Sequence, residues 1–152
     1  MTKKTFGTAL VIGASRGLGL ELVRQLLAAG SRVIATVRTA EARAALQTLG
    51  AEVLTLDVAD PASVGGLARQ LGGEPFDLAF YVAGVMRRMG ATTPPTQQDF
   101  DAVMHANVLG AMQTLPQVTP LVESAGGVFA FMSSSMSQIG SVPASNAWLY
   151  RT

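Results

Sequence analysis

Hydrophobic positions along the chain cluster in five short runs that are apolar or β-branched almost throughout. Such runs, which lack alternation between apolar and polar positions, are typical of strands buried on both faces of a parallel sheet. The predicted strands are residues 6–12, 32–37, 52–56, 76–83 and 128–132.

Between these strands, apolar residues recur at spacings of three and four, which predicts amphipathic helices. The first such pattern contains Leu18, Leu22 and Leu26, and Gly30 should end it. The predicted helices cover residues 18–29, about 39–49, about 60–71, and a long segment that begins at about 97.

Helix boundaries are also visible in the sequence. Asp60 followed by Pro61 is a typical N-cap and first-turn pair, and Thr96 opens a capping-box-like start for the long helix. Pro116 and Pro120 should kink or end that helix. Strand and helix therefore alternate, which favours right-handed βαβ units. We predict an α/β fold with a Rossmann-like, doubly wound parallel sheet, forming a single domain over residues 1–152.

Composition narrows the range of partners. The formal charge is +1 and only 14% of the residues are charged, with no basic block that could follow a phosphate backbone, so we expect no nucleic-acid partner. No apolar run approaches the roughly 20 residues of a membrane span, so we expect a cytoplasmic protein that does not enter the membrane. With no cysteine and a single histidine, His105, which is expected at the surface or in helix packing, a metal site is not expected.

A glycine-rich turn follows the first strand and opens the first helix. Gly13, Gly17 and Gly19 have the spacing G-x-x-x-G-x-G. Glycines allow the backbone to approach a pyrophosphate closely, and a helix N-terminus presents unpaired N–H groups to it. The turn is therefore interpreted as a dinucleotide phosphate site, and the alternative is a tight strand-to-helix turn without a ligand.

At this spacing the sequence resembles the short-chain dehydrogenase/reductase family, whose signature is T-G-x-x-x-G-x-G, and the resemblance covers essentially the whole chain. Ile12 replaces the family's threonine, so a supporting side-chain hydrogen bond should be missing. We predict cofactor binding by Gly13, Ser15, Arg16, Gly17, Leu18, Gly19, Arg38, Asp57, Val58, Ala83 and Gly84.

Two further motifs carry the resemblance. Asp57 and Val58 follow the third strand, where the family's aspartate binds adenine; Asp57 could instead be only a turn residue. Residues 81–84 read Y-V-A-G where the family usually has N-N-A-G, so Ala83 and Gly84 match while the bracing by asparagine should be lost.

The choice between the two nicotinamide cofactors can be read near the second strand. An acidic residue about 20 positions after the glycine turn binds the ribose 2′-hydroxyl of NAD, whereas arginine accommodates the 2′-phosphate of NADP. The second strand ends in Arg38, no acid occurs before Glu41, and Arg16 lies in the turn itself. We therefore predict NADP(H), with two arginines of no special role as the alternative.

The resemblance also implies a catalytic set. Asn107 matches the asparagine that holds a water, Ser134 the serine that binds the substrate oxygen, and Tyr150 the general acid. Because the serine lies in a run of three, Ser133 and Ser135 stay open as alternatives for that role, as does Ser137, which lies beyond the strand but has the family's usual spacing to the tyrosine. Met86, Met89 and Trp148 could wall a substrate pocket or belong to the core.

The family motif Y-x-x-x-K places its lysine at position 154, beyond the last residue. We therefore expect a domain that is incomplete at its C-terminus and inactive as residues 1–152, with an unpaired edge on the fifth strand that promotes homo-oligomerisation or aggregation. The predicted activity of the parent protein is interconversion of a small-molecule carbonyl and an alcohol. The alternative is a non-catalytic dinucleotide-binding or signalling module.

Overall fold

A computed structural model of the chain describes residues 6–87, 93–138, 140 and 147–151. Its centre is a sheet of five parallel strands. Each strand matches a predicted one or lies within it. Some strands are shorter than predicted: Phe76 and Ala83, for example, lie outside β4. The strands are β1 (Thr8–Ile12), β2 (Arg32–Val37), β3 (Glu52–Thr55), β4 (Leu78–Tyr81) and β5 (Val128–Phe131).

The strand order is β3-β2-β1-β4-β5. The chain thus builds one half of the sheet outward from β1, returns, and builds the other half from β4. This reversal creates a switch point between β1 and β4, where the loops leaving the two carboxyl ends diverge to opposite faces. Ligands of open α/β sheets bind at such a point, so the topology selects one end of the molecule for function.

Helices cover both faces of the sheet, which confirms the predicted doubly wound α/β fold. The helices are α1 (Gly17–Ala28), α2 (Ala40–Thr48), α3 (Pro61–Gly65), α4 (Leu67–Leu71), α5 (Gln97–Met104), α6 (Gly110–Ser124) and α7 (Trp148–Arg151). Alternate β1 residues face opposite sides: Leu10 and Ile12 pack in the cluster that contains Val118 of α6, and Val11 packs in the cluster that contains Val23 of α1. Burial on both faces explains why the strands read as continuous apolar runs.

The predicted third helix is divided in two, at Gly66, because consecutive glycines are poor helix formers. Asp60 caps its start, as predicted, by accepting a hydrogen bond from the Ala62 N–H at 3.0 Å. The Gln117 side chain on α6 bridges the break, accepting from the Ala68 N–H at 3.0 Å and donating to the Val64 carbonyl at 2.8 Å. The polar groups freed by the interruption are therefore paired.

Of the two predicted effects of Pro116 and Pro120, an end of the long helix is wrong, since α6 continues through both prolines to Ser124, while a kink stays a prediction. Each proline removes an N–H that would bond the carbonyl four residues earlier. Both prolines are exposed, so water can reach the freed carbonyls. The actual interruption lies earlier, in a π-helical turn at His105–Leu109 that joins α5 to α6.

No helix in the described ranges has both the length and the apolar character needed to cross a bilayer.

Candidate active site

A cleft of about 900 Å³ opens at the carboxyl ends of the strands, over the switch point. It brings together residues from distant parts of the sequence, including both predicted arginines and the three predicted catalytic side chains. The predicted site residues on its wall are Gly13, Ser15, Arg16, Gly17, Leu18, Arg38, Asp57, Val58, Ala83, Gly84, Asn107, Ser134 and Tyr150. Gly19 is the one predicted residue that does not line it.

The glycine turn is shaped by steric demands. Gly13 has a φ of +91°, and a Cβ added there would lie 2.6 Å from the Ala83 backbone nitrogen. Gly17 also has a positive φ, +57°, but has room around it. Gly19 is buried on α1, and a Cβ there would collide with the Gly13 carbonyl oxygen. Gly19 therefore lets the helix approach the turn and has a packing role.

Replacing Gly13 by alanine should destabilise the fold by roughly 2–4 kcal/mol, from strained positive φ plus overpacking against Ala83. Gly30 supplies a matched control: its φ is +87°, and an added Cβ meets no atom of the described residues within 4 Å. Gly30→Ala should therefore show the φ penalty of about 1 kcal/mol alone. Urea denaturation measures both; equal losses would mean that the contact with Ala83 does not matter.

The turn has a support that the sequence reasoning missed. The N–H of Gly13 donates to Oγ1 of Thr36 at 3.1 Å, and Thr36 lies opposite Ile12 in the β1–β2 register. Ile12 itself gives no side-chain bond, as predicted, but the neighbouring strand supplies a hydroxyl to the turn. A threonine among the apolar residues that follow Arg32 was the available signal, but strand pairing was needed to interpret it.

Replacing Thr36 by valine should cost about 1–3 kcal/mol of stability, because it leaves the Gly13 N–H unsatisfied. Thr114→Val on α6 is the matched control, since both threonines are at most 1% exposed and the Thr114 hydroxyl has no hydrogen-bond partner among the described residues. The control should be neutral or stabilising. Thermal unfolding compares the two variants, and equal changes in Tm would refute the supporting role of Thr36.

Two guanidinium groups stand at the mouth of the turn. Arg16 is the N-cap residue of α1 and gives no side-chain hydrogen bond to the first helical turn, which contains no acidic residue. Arg38 follows β2, and both arginines are exposed. Within the described part of the chain neither forms an ion pair. Two guanidinium groups that lack an anionic partner, one of them at a helix N-terminus, favour the binding of a phosphate group.

Asp57 has an observed turn function. Its Oδ1 accepts a hydrogen bond from the Ala59 N–H at 3.0 Å, and its own N–H donates to the Ser63 hydroxyl at 3.0 Å. Asp57 therefore stabilises the turn before α3, which is compatible with both interpretations of this residue. Because Asp57 and Val58 also line the cleft, the adenine-binding role stays a prediction.

Asn107 lies in the middle of the π-helical turn and clamps the loop after β4. Its Oδ1 accepts from the Val85 N–H and its Nδ2 donates to the Val85 carbonyl, both at 2.8 Å. A Cβ on Gly84 would lie 3.3 Å from this Oδ1, so the loop passes close to the amide. Asn107 thereby fixes the loop that forms the wall of the cleft between Gly84 and Met86.

Tyr81 occupies the first position of the Y-V-A-G segment and is only 4% exposed. Its hydroxyl donates to the Ala106 carbonyl oxygen at 3.0 Å, across to the π-helical turn. Burial raises the pKa of the Tyr81 phenol to about 12, so this group stays protonated at neutral pH. The bracing expected to be lost with the asparagines is therefore partly replaced by a phenol.

The serine cluster lies just after β5. The Ser134 hydroxyl accepts from the Met136 N–H at 3.1 Å and so caps a short 3₁₀ turn, Ser135–Ser137. Ser137 donates from its hydroxyl to the Ser134 carbonyl at 2.7 Å. Ser133, Ser134 and Ser137 line the cleft, whereas Ser135 does not. The cleft thus retains three of the four candidate serines, and the choice of Ser134 stays a prediction.

Tyr150 lies on α7, which is docked onto the serine segment. The Arg151 guanidinium donates to the Met136 carbonyl at 2.9 Å, and Leu149 is buried. Tyr150 is half-buried and lines the same cleft as Ser134. The docking of α7 brings a tyrosine far along the sequence to the serines.

The remaining predicted pocket and surface residues have different outcomes. Met86 is exposed and lines the cleft, which favours its pocket interpretation over a core position. Met89 and the side chain of Trp148 lie outside the described residues. His105 is exposed, as expected for a surface residue.

Comparison with known proteins agrees with this geometry. The family described as short chain dehydrogenase matches residues 7–150. The chain is 32% identical over 142 residues to an NADPH-dependent pterin aldehyde reductase of Arabidopsis thaliana, covering 88% of this chain and 58% of that protein. It is 35% identical over 135 residues to a probable oxidoreductase of Streptomyces antibioticus, covering 84% of this chain and 44% of that protein.

Solved structures show the same likeness. A Burkholderia multivorans protein described as a short-chain dehydrogenase/reductase, with bound NADP, is 30% identical to this chain with a TM-score of 0.84, covering 96% of this chain and 66% of its own. The chain spans about half the length of the curated relatives it matches. With the family match extending over nearly all of the sequence, from the glycine turn to Tyr150, this chain belongs to the short-chain dehydrogenase/reductase family.

Proposed function

We propose that the protein is an NADP(H)-dependent oxidoreductase that interconverts a carbonyl compound and the corresponding alcohol. The observation that carries the proposal is a cleft that joins the glycine turn, Arg16 and Arg38 to Asn107, Ser134 and Tyr150, with neither arginine in an ion pair with another described residue. These parts come from separate strands and helices. Their convergence on one cleft is expected for a site that holds a cofactor beside a reacting group.

The residues present fit a dinucleotide. A Cβ added at Gly17 would meet no atom of the described residues within 4 Å, so the backbone of the turn is open there, and α1 begins on the cleft wall at Gly17 and Leu18, where a helix N-terminus can bind a phosphate group. Arg16 and Arg38 would bind the 2′-phosphate, and Asp57 and Val58 would contact the adenine. The NADPH dependence of the pterin aldehyde reductase and the NADP in the Burkholderia protein support the choice of cofactor.

The bound nicotinamide would supply a hydride to the carbonyl carbon. The chain's residues would supply the rest of the chemistry: the Ser134 hydroxyl donates a hydrogen bond to the carbonyl oxygen, and the Tyr150 phenol gives its proton to that oxygen as the alkoxide forms. Asn107 holds the loop at Val85 and so fixes one wall of the cleft. The Tyr81 hydroxyl is buried and donates its proton to the Ala106 carbonyl, which leaves Tyr150 as the tyrosine available for proton transfer.

The test has two stages. Titration with NADPH and NADH, followed by nicotinamide fluorescence, should show tighter binding of NADPH. Oxidation of NADPH in the full-length protein is then measured against a panel of aliphatic and aromatic aldehydes and ketones. Tight NADPH binding without turnover of any carbonyl or alcohol would favour the non-catalytic module, and failure to bind either cofactor would reject the proposal.

A further inference from the structure

We propose that Tyr81 is a positioning residue, whose phenol hydroxyl holds the π-helical turn in the geometry that directs the Asn107 amide at Val85. The inference rests on the proposed function in one respect, since the Asn107 clamp matters for catalysis only if the cleft is an active site. The positioning itself can be tested without turnover.

The contact between Tyr81 and the π-helical turn is buried and specific. The hydroxyl donates to the Ala106 carbonyl at 3.0 Å from a side chain that is 4% exposed. Gly110, the first residue of α6, leaves room for the phenol: a Cβ there would lie 2.9 Å from the Tyr81 hydroxyl oxygen. On the strand side, the ring stacks on Phe131 with centroids 5.5 Å apart. The ring and the hydroxyl are therefore both constrained.

The carbonyl that receives this bond belongs to the residue immediately before Asn107. In the π-helical turn the Gly110 N–H bonds the His105 carbonyl, five residues earlier. A widened turn of this kind disturbs the regular ladder and needs outside partners to stay in register. Tyr81 supplies one of them. Successive residues of an α-helix are about 100° apart around the helix axis. Relaxation of the turn to an α-helical register would rotate Asn107 around that axis by much of this angle and withdraw its amide from Val85.

The protonation state of Tyr81 suits this role. Its hydroxyl must donate, because the Ala106 carbonyl can only accept. Burial keeps the phenol protonated well above neutral pH, with its pKa raised to about 12. A core-filling role alone would require the ring and not the hydroxyl, which is the distinction that the experiment uses.

The experiment measures amide hydrogen exchange by NMR in the protein and in Tyr81→Phe, which keeps the ring. The reporter is the Val85 N–H, whose acceptor is the Asn107 side chain. We expect Val85 exchange to accelerate about tenfold or more, while the Leu10 amide in β1 keeps its rate, as for a local opening. Asn107→Ala defines the rate of an unclamped Val85. In the full-length enzyme, Tyr81→Phe should lower kcat about tenfold and leave the NADPH Kd within about twofold.

Thr114→Val is the matched control, since it removes a buried hydroxyl that has no partner among the described residues and should leave Val85 exchange unchanged. Unchanged Val85 exchange in Tyr81→Phe would overturn the inference. So would equal acceleration at Leu10 and Val85, because that result assigns Tyr81 to global stability. Both outcomes are independent of NADPH binding and turnover, so they are distinguishable from a failure of the proposed function.

Discussion

Replacing Arg38 by aspartate should reverse the cofactor preference from NADPH to NADH. Charge-assisted hydrogen bonds to a phosphate contribute roughly 1.5–3 kcal/mol, and a carboxylate in their place adds repulsion. NADPH affinity should therefore fall about 100-fold or more. A carboxylate at the end of the second strand can accept from the ribose 2′-hydroxyl, so NADH affinity should rise about tenfold. Fluorescence titration with each cofactor measures both changes.

The matched control is Arg69→Asp, which makes the same charge change at an exposed position on α4 that does not line the cleft. It separates local recognition from a change in overall charge, and neither cofactor's affinity should move by more than a small factor. The prediction requires that the unmodified protein bind NADPH more tightly than NADH. If it binds the two cofactors equally, Arg16 and Arg38 do not recognise the 2′-phosphate.

Replacing Tyr150 by phenylalanine should nearly abolish turnover and leave NADPH binding intact. A positioned general acid contributes roughly 100- to 10,000-fold to rate, and the substitution removes only the hydroxyl. In the full-length protein we therefore expect kcat to fall by a factor in that range, with the NADPH Kd within about twofold. Steady-state rates and a fluorescence titration on the same preparation give the two values.

Tyr81→Phe is the chemically matched comparison, since Tyr81 and Tyr150 are the two tyrosines of the chain. Its expected loss in kcat is about tenfold, because it acts through the position of Asn107 and transfers no proton. The ratio between the two variants separates proton donation from positioning. Turnover in Tyr150→Phe close to that of the unmodified protein would remove Tyr150 from the proposed mechanism.

Two departures from the family pattern are each accompanied by a contact from a neighbouring element. At the glycine turn, Thr36 on β2 bonds the Gly13 N–H beside the apolar Ile12. At the end of β4, Tyr81 reaches the π-helical turn from a position where the family usually has asparagine. In both places the polar contact joins two elements at the carboxyl end of the sheet.

The sequence by itself determined the fold class and the motifs that line the cleft at the glycine turn and at the ends of the strands. Strands buried on both faces are mostly apolar, so continuous apolar runs located all five of them, and capping chemistry located the starts of the helices at Pro61 and Gln97. Because parallel strands end at one edge of a sheet, motifs that follow the strands had to meet there. The glycine turn, Arg38 and Ala83 could therefore be assigned to one site from the sequence alone.

Only the tertiary structure decided how that site is held. Pro116 and Pro120 predict a kink or an end of the long helix, but α6 continues through both because exposed carbonyls can bond water, and the irregular turn lies earlier, at His105–Leu109. The partners of Gly13 and Asn107 lie 23 and 22 residues away along the chain. Hydrogen bonds over such separations depend on strand register and helix docking, which local pattern does not encode, and they are what fix the shape of the cleft.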